Sequence, residues 1–313
     1  MSSSPSRSTR WTAADIPDLS GLEAVVTGAN SGIGLVTAEE LARHGARVTL
    51  AVRDGDRGRS AADQICSRAP EAQVEVMICD LADLASIRAF ADQWCSTHSD
   101  GLSLLINNAG VMAIPRRESA DGFEMQLATN HLGHFALTGL LFDALQPKAR
   151  VVTVSSQAHR FGRMEFDDLM GRDRYQPWRA YGQSKLANLL FAGELQRRIS
   201  DRDLSQISVA AHPGYAATNL QSVGPQMSGS RIQGTLTSFA NRVLAQSPQM
   251  GALPTLYAAT APGIRGGDYV GPGGFAEQRG HPKLVGMSTA ARDQHAAARL
   301  WEISEDLTDV RYP

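Results

Sequence analysis

Short apolar runs alternate with longer amphipathic stretches along most of this chain. Each apolar run spans four to six residues and carries few polar side chains, which is typical of strands buried on both faces of a parallel sheet. The predicted strands are 24–27, 47–52, 74–79, 104–107, 150–155 and 207–211. Helical spacing of apolar positions predicts helices at 35–44, 56–68, 84–98, 123–145 and 180–199.

This order of elements predicts an α/β fold. Strands that alternate with helices form a doubly wound, Rossmann-type parallel sheet with helices on both faces. We expect a single domain at 19–275, a flexible leader at 1–18 and a C-terminal extension at 276–313 that packs on the same domain. Ligands of such sheets bind beyond the carboxyl ends of the strands, so the residues that follow the strands are the candidates for a site.

Two segments interrupt the alternation. Residues 160–179 carry many charges together with Gly162, Gly171 and Pro177, and they are predicted to form a surface excursion. Residues 220–248 are rich in Gly, Ser, Gln and Met, a composition that suits a mobile cover. We interpret this second segment as a substrate lid within the domain, with an ordinary solvated loop as the alternative.

A turn of small residues follows the first predicted strand and opens the first helix. Small residues let the backbone approach a pyrophosphate, and the helix N-terminus faces its charge. The spacing Gly28-x-x-x-Gly32-x-Gly34 differs from the ordinary dinucleotide fingerprint, but its position between strand and helix favours a dinucleotide site over a flexible turn. The candidate cofactor-binding residues here are Gly28, Asn30, Ser31, Gly32, Ile33 and Gly34.

Tyr181 and Lys185 lie four residues apart in a predicted helix, so both side chains project from one face. A free phenol titrates near ~10. An ammonium about 4 Å away stabilises the phenolate by roughly 4 kcal/mol at an effective dielectric of ~20. We therefore expect Lys185 to lower the pKa of Tyr181 and to make the phenol a usable general acid or base. An ordinary surface pair has the same spacing, so this interpretation depends on the other motifs.

Three motifs, taken in order, resemble the short-chain dehydrogenase/reductase family. They are Thr-Gly-Ala-Asn-Ser-Gly-Ile-Gly at 27–34, Asn-Asn-Ala-Gly at 107–110 and Tyr-Gly-Gln-Ser-Lys at 181–185. Residues 151–159, 166–169, 184–188 and 212–214 resemble the retinol dehydrogenase branch of that family. The resemblance runs from about residue 21 to residue 269. It implies an oxidoreductase that interconverts an alcohol and a carbonyl by hydride transfer on a small, lipophilic substrate.

The resemblance also implies a catalytic set of Asn130, Ser156, Tyr181 and Lys185. A serine past the fifth strand would polarise the reacting oxygen together with the tyrosine. Ser155 and Ser156 point in different directions if the strand continues, and the branch pattern favours Ser156, which leaves Ser155 as a strand-end hydrogen bonder. Asn130 would hold a water next to Lys185 and complete a proton relay from Tyr181.

Further cofactor contacts follow from the same resemblance. The family pattern maps onto Asp80 and Leu81 at the adenine, Asn107, Ala109 and Gly110 behind the adenosine ribose, and Pro213, Gly214 and Thr218 at the nicotinamide, in addition to Tyr181 and Lys185. Asp80 is equally suited to be the N-cap of the following helix. His212 is interpreted as a structural residue and not as a base.

The end of the second predicted strand decides which dinucleotide is expected. An NAD site places a carboxylate there to bind the ribose 2′-hydroxyl, whereas an NADP site places an arginine for the 2′-phosphate. Arg53 follows the apolar residues of this strand, and its guanidinium can bind a phosphate through two hydrogen bonds. NADP is therefore the expected cofactor, and Asp54 keeps NAD as the less favoured alternative.

Composition argues against nucleic-acid binding, a metal site and a membrane span. The 313 residues are 42% hydrophobic and 20% charged with a net charge of −2, and they contain no block of lysine and arginine, so nucleic-acid binding is not expected. Three cysteines without Cys-x-x-Cys spacing, and His131 and His134 without neighbouring ligands, predict no metal site. No run of ~18 apolar residues predicts a membrane span, so we expect a cytoplasmic protein. The sequence does not decide the oligomeric state, and a homodimer and a homotetramer are both compatible with it.

Two other functions share part of this pattern. Light-dependent protochlorophyllide reductases reduce an enone with the same Tyr and Lys, but this chain has no obvious cysteine-rich pigment site. A dinucleotide sensor would keep the fold without catalysis, and such proteins typically lose the Tyr or the Lys. Both residues are present here, so an enzyme is the favoured interpretation.

Overall fold

Eight strands form one central sheet in the computed structural model, which describes residues 10–214 and 247–312. The strands are β1 Glu23–Thr27, β2 Arg47–Val52, β3 Gln73–Ile78, β4 Leu102–Asn107, β5 Leu145–Val154, β6 Ile207–Ala211, β7 Tyr269–Pro272 and β8 Pro282–Leu284. Their order is β3-β2-β1-β4-β5-β6-β7-β8, and every neighbouring pair is parallel except β7 and β8. The predicted doubly wound α/β fold is confirmed.

Helices cover both faces of this sheet. They are α1 Gly32–Arg43, α2 Gly55–Arg68, α3 Leu84–Thr97, α4 Met125–Leu127, α5 Gly133–Leu140, α6 Pro177–Asp201, α7 Pro248–Thr260 and α8 Gln294–Thr308. Val26 packs with α1, α2 and α7, whereas its neighbour Val25 packs with α3, α5 and α6 on the opposite face. Burial on both faces explains why the strands read as almost continuous apolar runs.

The predicted helix at 123–145 is divided into several elements. A π-helical turn, Ala128–Leu132, separates α4 from α5, and a 3₁₀ turn, Phe142–Ala144, precedes β5. β5 therefore begins at Leu145 and not at residue 150. The apolar periodicity continues through these breaks, so sequence alone did not reveal them. π-helical turns often occur at functional sites, and this one carries Asn130.

The two ends of the described chain pack on the sheet domain. The ring of Trp11 lies edge-on to Tyr257, with centroids 5.1 Å apart, and Ile16 is buried in the core. Residues 10–18 of the predicted flexible leader are thus held against the domain, and 1–9 lie outside the described residues. At the other end, Trp301 of α8 stacks on Phe191 of α6 with centroids 5.9 Å apart. No helix in the described ranges is both long and apolar enough to cross a bilayer.

The elements after β6, namely α7, α8, β7 and β8, were not predicted. β7 and β8 are short, with four and three residues, so they carry too little periodicity to be recognised. Their hairpin places one antiparallel strand at the edge of the sheet. Most of the predicted lid at 220–248 lies outside the described residues, and its last two residues begin α7, where the Ser247 hydroxyl caps the helix by accepting from the N–H of Met250.

Candidate active site

The glycine turn between β1 and α1 is packed so closely that it has no room for a β-carbon at Gly28 or Gly34. Gly28 and Gly32 have positive φ values of 65° and 58°, which glycine adopts without strain. A β-carbon on Gly34 would lie 2.5 Å from both the carbonyl oxygen of Gly28 and Nδ2 of Asn108. The turn is therefore folded tightly onto the start of α1. Its backbone and the helix N-terminus form a cradle that suits a diphosphate.

Three polar residues hold this turn from behind, and the sequence interpretation had not assigned them to the site. The Thr27 hydroxyl oxygen accepts from the N–H groups of Asn108 and Ala109, at 2.9 and 3.0 Å, and the Asn108 side chain donates to the Thr27 carbonyl at 2.7 Å. His134 Nε2 lies 2.9 Å from the same hydroxyl. Thr27 and Asn108 occur within the quoted motifs, which was the available signal, whereas His134 lies outside them, four residues after Asn130.

The proton positions around His134 follow from these contacts. Nδ1 faces the Asn130 carbonyl at 3.0 Å, and because a carbonyl only accepts, Nδ1 of the neutral ring carries the proton. Nε2 therefore accepts from the Thr27 hydroxyl, which also lies 3.3 Å from the Ile106 carbonyl. Burial lowers the pKa of His134 to about 4, so the ring is neutral at pH 7. His134 thus connects the glycine turn to the π-helical turn.

The residues predicted at the adenine end are placed as follows. The Asp80 carboxylate accepts from the N–H of Ala82 at 3.0 Å, whereas Asp83 caps α3 by accepting from the N–H groups of Ala85 and Ser86. The alternative that Asp80 is the N-cap of this helix is therefore wrong. The backbone of Leu81 lies against Gly133 of α5.

Asn107 and Gly110 have different surroundings within the second motif. The Asn107 side chain is fully buried and donates to the Thr138 hydroxyl at 2.9 Å, so it points towards α5. A β-carbon on Gly110 would lie 3.0 Å from Asn130 Oδ1 and 3.5 Å from Lys185 Nζ. Glycine at this position leaves the space between those two side chains open.

Arg53 and Asp54 follow β2, and their side chains have different partners. Arg53 is exposed and makes no ion pair with any residue in the ranges 10–214 and 247–312. Asp54 is the N-cap of α2, where its carboxylate accepts from the N–H groups of Asp56 and Arg57 at 3.1 Å each. The Asp54 carboxylate, which was the reason to keep NAD as the alternative cofactor, is thus hydrogen-bonded to the start of α2. The Arg53 guanidinium stays available to bind a phosphate.

Tyr181, Lys185 and Ser156 meet where β5 ends. α6 begins with Pro177 at its first position, four residues before Tyr181, so Tyr181 and Lys185 share one face as predicted. Both side chains are buried, and the phenol is hydrogen-bonded to the Ser156 hydroxyl. Lys185 Nζ donates to the Val154 carbonyl at 3.1 Å and lies 5.9 Å from the centroid of the Tyr181 ring.

The pKa of Tyr181 was expected to be lowered, and the structure gives the opposite net direction. Burial raises the pKa of Tyr181, and the hydrogen bond from Ser156 opposes this only in part. The Lys185 ammonium donates to the Val154 carbonyl, and burial lowers the pKa of Lys185 to about 8. Tyr181 therefore keeps its proton at neutral pH in the protein alone, which makes it a proton donor in this state.

The two adjacent serines have separate partners. Ser155 donates to the backbone carbonyl of Lys185 at 2.7 Å, which fixes β5 to α6. Ser156 accepts from the N–H of Ala158 at 3.2 Å, and its own proton stays available beside Tyr181. The structure brings Ser156, and not Ser155, together with the phenol.

Asn130 lies in the π-helical turn, and both ends of its side-chain amide bond protein groups. Oδ1 accepts from the N–H of Val111 at 2.8 Å, while Nδ2 donates to the Val111 carbonyl at 3.0 Å and to the Ser184 hydroxyl at 2.8 Å. These bonds tie the segment after Gly110 to α6, one residue before Lys185. Asn130 thus helps to place Lys185, and its role in holding a water next to Lys185 stays a prediction.

The segment after β6 carries the last predicted contacts. Gly214 has a φ of 69° and donates its N–H to Nδ1 of His212 at 3.2 Å. Burial lowers the pKa of His212 to about 4, which agrees with a structural residue that stays neutral. Pro213 lies between the two, and Thr218 lies outside the described residues.

One exposed aromatic ring lies next to Tyr181, and a second lies next to the following residue, Gly182. The ring of Trp178 is edge-on to the Tyr181 ring, with centroids 6.1 Å apart, and it is 57% exposed. Phe161 is 55% exposed, and a β-carbon on Gly182 would lie 2.8 Å from its ring. Exposed apolar rings therefore lie next to Tyr181 and Gly182 near the start of α6. Within the described ranges, no group of His, Cys, Asp and Glu side chains could hold a metal ion.

Comparison with known proteins agrees with this geometry. Residues 23–227 match the family described as short chain dehydrogenase. Human retinol dehydrogenase 11 is 42% identical over 291 residues, which cover 92% of this chain and 86% of that protein.

Two solved structures are also similar. An uncharacterised protein of Mycobacterium paratuberculosis is 46% identical, with a TM-score of 0.81 and coverage of 97% of this chain and 100% of that one. A Beutenbergia cavernae structure, described as an NAD(P)-dependent gluconate 5-dehydrogenase with bound NADP, is 26% identical, with a TM-score of 0.61 and coverage of 80% and 95%. The chain therefore is an oxidoreductase that belongs to the short-chain dehydrogenase/reductase family, in its retinol dehydrogenase-like branch.

Proposed function

We propose that this protein is an NADP-dependent oxidoreductase that interconverts an alcohol and a carbonyl on a small, lipophilic substrate, with Tyr181 as the general acid and base. The observation that carries this proposal is the meeting of Tyr181, Ser156 and Lys185 at the same edge of the sheet as the glycine cradle. When bound, the dinucleotide supplies the hydride that adds to the carbonyl carbon.

The proton comes from the protein's own side chains. In the direction of reduction, the neutral phenol of Tyr181 donates its proton to the oxygen of the carbonyl group. Ser156 donates a second hydrogen bond to that oxygen, since its own oxygen already accepts from Ala158. Lys185 is charged at neutral pH and stabilises the phenolate that remains. In the direction of oxidation, the same phenolate accepts the proton of the alcohol.

NADP is favoured over NAD by the residues after β2. Arg53 is exposed and unpaired with respect to the described residues, whereas the Asp54 carboxylate caps α2. A guanidinium pairs with a 2′-phosphate, and a ribose hydroxyl would need a free carboxylate. The similar structure from Beutenbergia cavernae contains NADP, which agrees with this choice. The residues that would hold the dinucleotide are the glycine turn, Arg53, Asp80, Leu81 and the backbone of 107–110.

A lipophilic substrate is supported by the aromatic surface at the mouth of the site. Trp178 leaves apolar area exposed beside the Tyr181 ring, and the relative named retinol dehydrogenase is named for an apolar alcohol. Burying one methylene group is worth about 0.8 kcal/mol, so each added carbon of a bound chain should increase affinity.

Trp178→Ala should therefore lower kcat/KM for long-chain aldehydes by about tenfold and leave kcat/KM for short-chain aldehydes nearly unchanged.

One experiment tests the proposed function. Aldehydes, ketones and enones of increasing chain length are offered to the purified protein with NADPH or NADH, and consumption of the reduced cofactor is followed. We expect turnover of apolar aldehydes or ketones with NADPH and much slower turnover with NADH. Reduction of the enone carbon–carbon bond alone would favour the enone reductase. Binding of NADPH without turnover of any compound would favour the sensor. A cytoplasmic location and a homodimer or homotetramer stay predictions of the sequence.

A further inference from the structure

The segment that carries the candidate catalytic serine is held by the C-terminal part of the chain. Residues 156–160 form a 3₁₀ turn after β5, capped by Ser156. His159 Nε2 accepts from the backbone N–H of Ser288 at 3.2 Å, so the imidazole proton is on Nδ1. Nδ1 then donates to the carbonyl oxygen of Ser156 at 2.6 Å. Ser288, which lies 129 residues after His159, thereby restrains the backbone of Ser156 through that imidazole.

Glu277, in the turn between β7 and β8, makes a second connection to the same segment. Its carboxylate accepts from the side-chain amide of Gln157, the residue next to Ser156. Arg160 approaches both carboxylate oxygens at 3.4 Å and also donates to the Gly286 carbonyl at 3.0 Å. One acidic side chain therefore contacts the serine segment at two of its residues.

The same carboxylate reaches the segment after β6. Nδ1 of His212 accepts from the N–H of Gly214, so the His212 proton is on Nε2, which lies 3.2 Å from Glu277 Oε2. A β-carbon on Gly214 would lie 2.5 Å from the carbonyl oxygen of Gln278, so the β7–β8 turn lies directly on this segment. Glu277 thus joins the residue after the serine to the segment 212–214, on two sides of the candidate site.

The backbone of the turn between β7 and β8 has an unusual conformation at Glu277. Glu277 and the preceding Ala276 both have positive φ values, 55° and 48°, which are unfavourable for residues with a β-carbon. Such conformations persist only where the surroundings enforce them, and they concentrate at binding and catalytic sites. The Glu277 side chain in this turn is contacted by Gln157, Arg160 and His212.

We infer that Glu277 is a positioning residue for the reaction: it fixes Gln157 and His212 and so aims the Ser156 hydroxyl at the oxygen that Tyr181 protonates. This inference rests on the proposed function. A hydrogen-bond donor stabilises a developing oxyanion only from about 2.7–3.1 Å, so a small displacement of the serine removes most of its effect. Glu277 itself needs no contact with substrate or cofactor.

A double-mutant cycle between Glu277 and Ser156 tests this inference. We expect Glu277→Ala to lower kcat by about ten- to hundredfold with NADPH affinity changed less than about threefold, because losing one oxyanion donor typically costs 10²–10³ in kcat. In a Ser156→Ala background, the same change should cost less than about threefold, since no hydroxyl is left to aim. Glu277→Gln, which keeps one acceptor oxygen, should retain an intermediate kcat.

Two outcomes would overturn the inference while the proposed function stands. One is an unchanged kcat in an active Glu277→Ala protein. The other is an equal loss in the presence and absence of the Ser156 hydroxyl, which would mean that Glu277 acts elsewhere. If Glu277→Ala does not fold, Gln157→Leu provides the second arm of the cycle with the same expectation. Glu71→Ala, which removes an exposed carboxylate in the first half of the chain, is the control. A wild-type protein without any turnover would contradict the proposed function itself.

Discussion

The glycine turn after β1 and the serine segment after β5 lie at the same edge of one sheet, but they are held in different ways. The turn has its shape from its own glycines, where a β-carbon on Gly34 would collide with the backbone of Gly28. The serine segment has ordinary residues and is held by Glu277 and Ser288, which lie 120 and 129 residues away from their partners. The first region is specified locally, whereas the second depends on contacts distant in sequence.

This difference separates the two tasks of the site. Binding a dinucleotide needs an open backbone cradle, which small residues create by themselves. Transferring a proton needs several side chains within hydrogen-bonding distance of one oxygen, and only tertiary packing can bring them there. Changes in the turn should therefore affect cofactor affinity, and changes in the second region should affect the chemical step.

The largest effect is expected from Tyr181→Phe. Only the ionisable oxygen is lost, and a ring of the same shape remains, so kcat should fall by about 10²-fold or more while NADPH affinity is kept. Single-turnover hydride transfer and NADPH fluorescence titration measure the two quantities. Lys185→Ala is the companion variant and should weaken both, if its ammonium also meets the ribose hydroxyls. More than about a tenth of the activity in Tyr181→Phe would contradict the role of the phenol.

Gly34→Ala should lower NADPH affinity more than kcat, which is the reverse of the effect expected for Tyr181→Phe. The added carbon would lie 2.5 Å from a backbone oxygen that cannot move freely, and overpacking of this kind costs about 1–3 kcal/mol. We expect NADPH affinity and the melting temperature to fall together, with kcat at saturating cofactor much less changed. Gly193→Ala is the matched control, because it lies exposed in α6 with no atom within 4 Å of the added carbon. Equal effects of the two substitutions would show that the cradle is not tightly packed.

Arg53→Ala tests whether the residue after β2 distinguishes NADPH from NADH. Hydrogen bonds to a charged group are worth about 1.5–3 kcal/mol, so NADPH affinity should fall by roughly ten- to hundredfold. NADH lacks the phosphate, and its affinity should stay nearly constant. Isothermal titration with both cofactors measures the difference. The same loss for NADH and NADPH would rule out a phosphate contact at this arginine.

The smallest effect concerns the buried imidazole behind the glycine turn. Burial lowers the pKa of His134 from 6.5 to about 4, so the unfolded chain binds more protons between these values. The free energy of unfolding should therefore fall as the pH is lowered from about 6.5 to 4, and this histidine accounts for up to about 2 kcal/mol at pH 5.

His134→Gln should reduce that pH dependence, measured by urea unfolding at pH 7 and pH 5. His295→Gln, at an exposed position of α8, is the control. An unchanged slope in His134→Gln would mean that the imidazole is not neutral in the folded protein. The other buried histidines, including His131 beside Ser304, keep their own share of the slope in both variants.

Much of the architecture was predictable because it repeats along the chain. Alternating apolar runs and helical periodicity located six strands and five helical stretches, and the motifs located Tyr181, Lys185 and the glycine turn. The π-helical turn at 128–132 was not predictable, because one additional residue in a turn leaves the apolar pattern nearly intact. β7 and β8 were too short for their pattern to be recognised.

The sequence by itself determined the sheet and the shape of the glycine turn, because buried strands and residues without a β-carbon leave the backbone few alternatives. Only the tertiary structure decided the direction of the pKa of Tyr181, because burial is a property of the whole packed site and outweighs the hydrogen bond from Ser156. It also decided the partners of Ser156 and the link from Glu277 to His212. Contacts of this kind join residues whose separation in the chain carries no periodic signal.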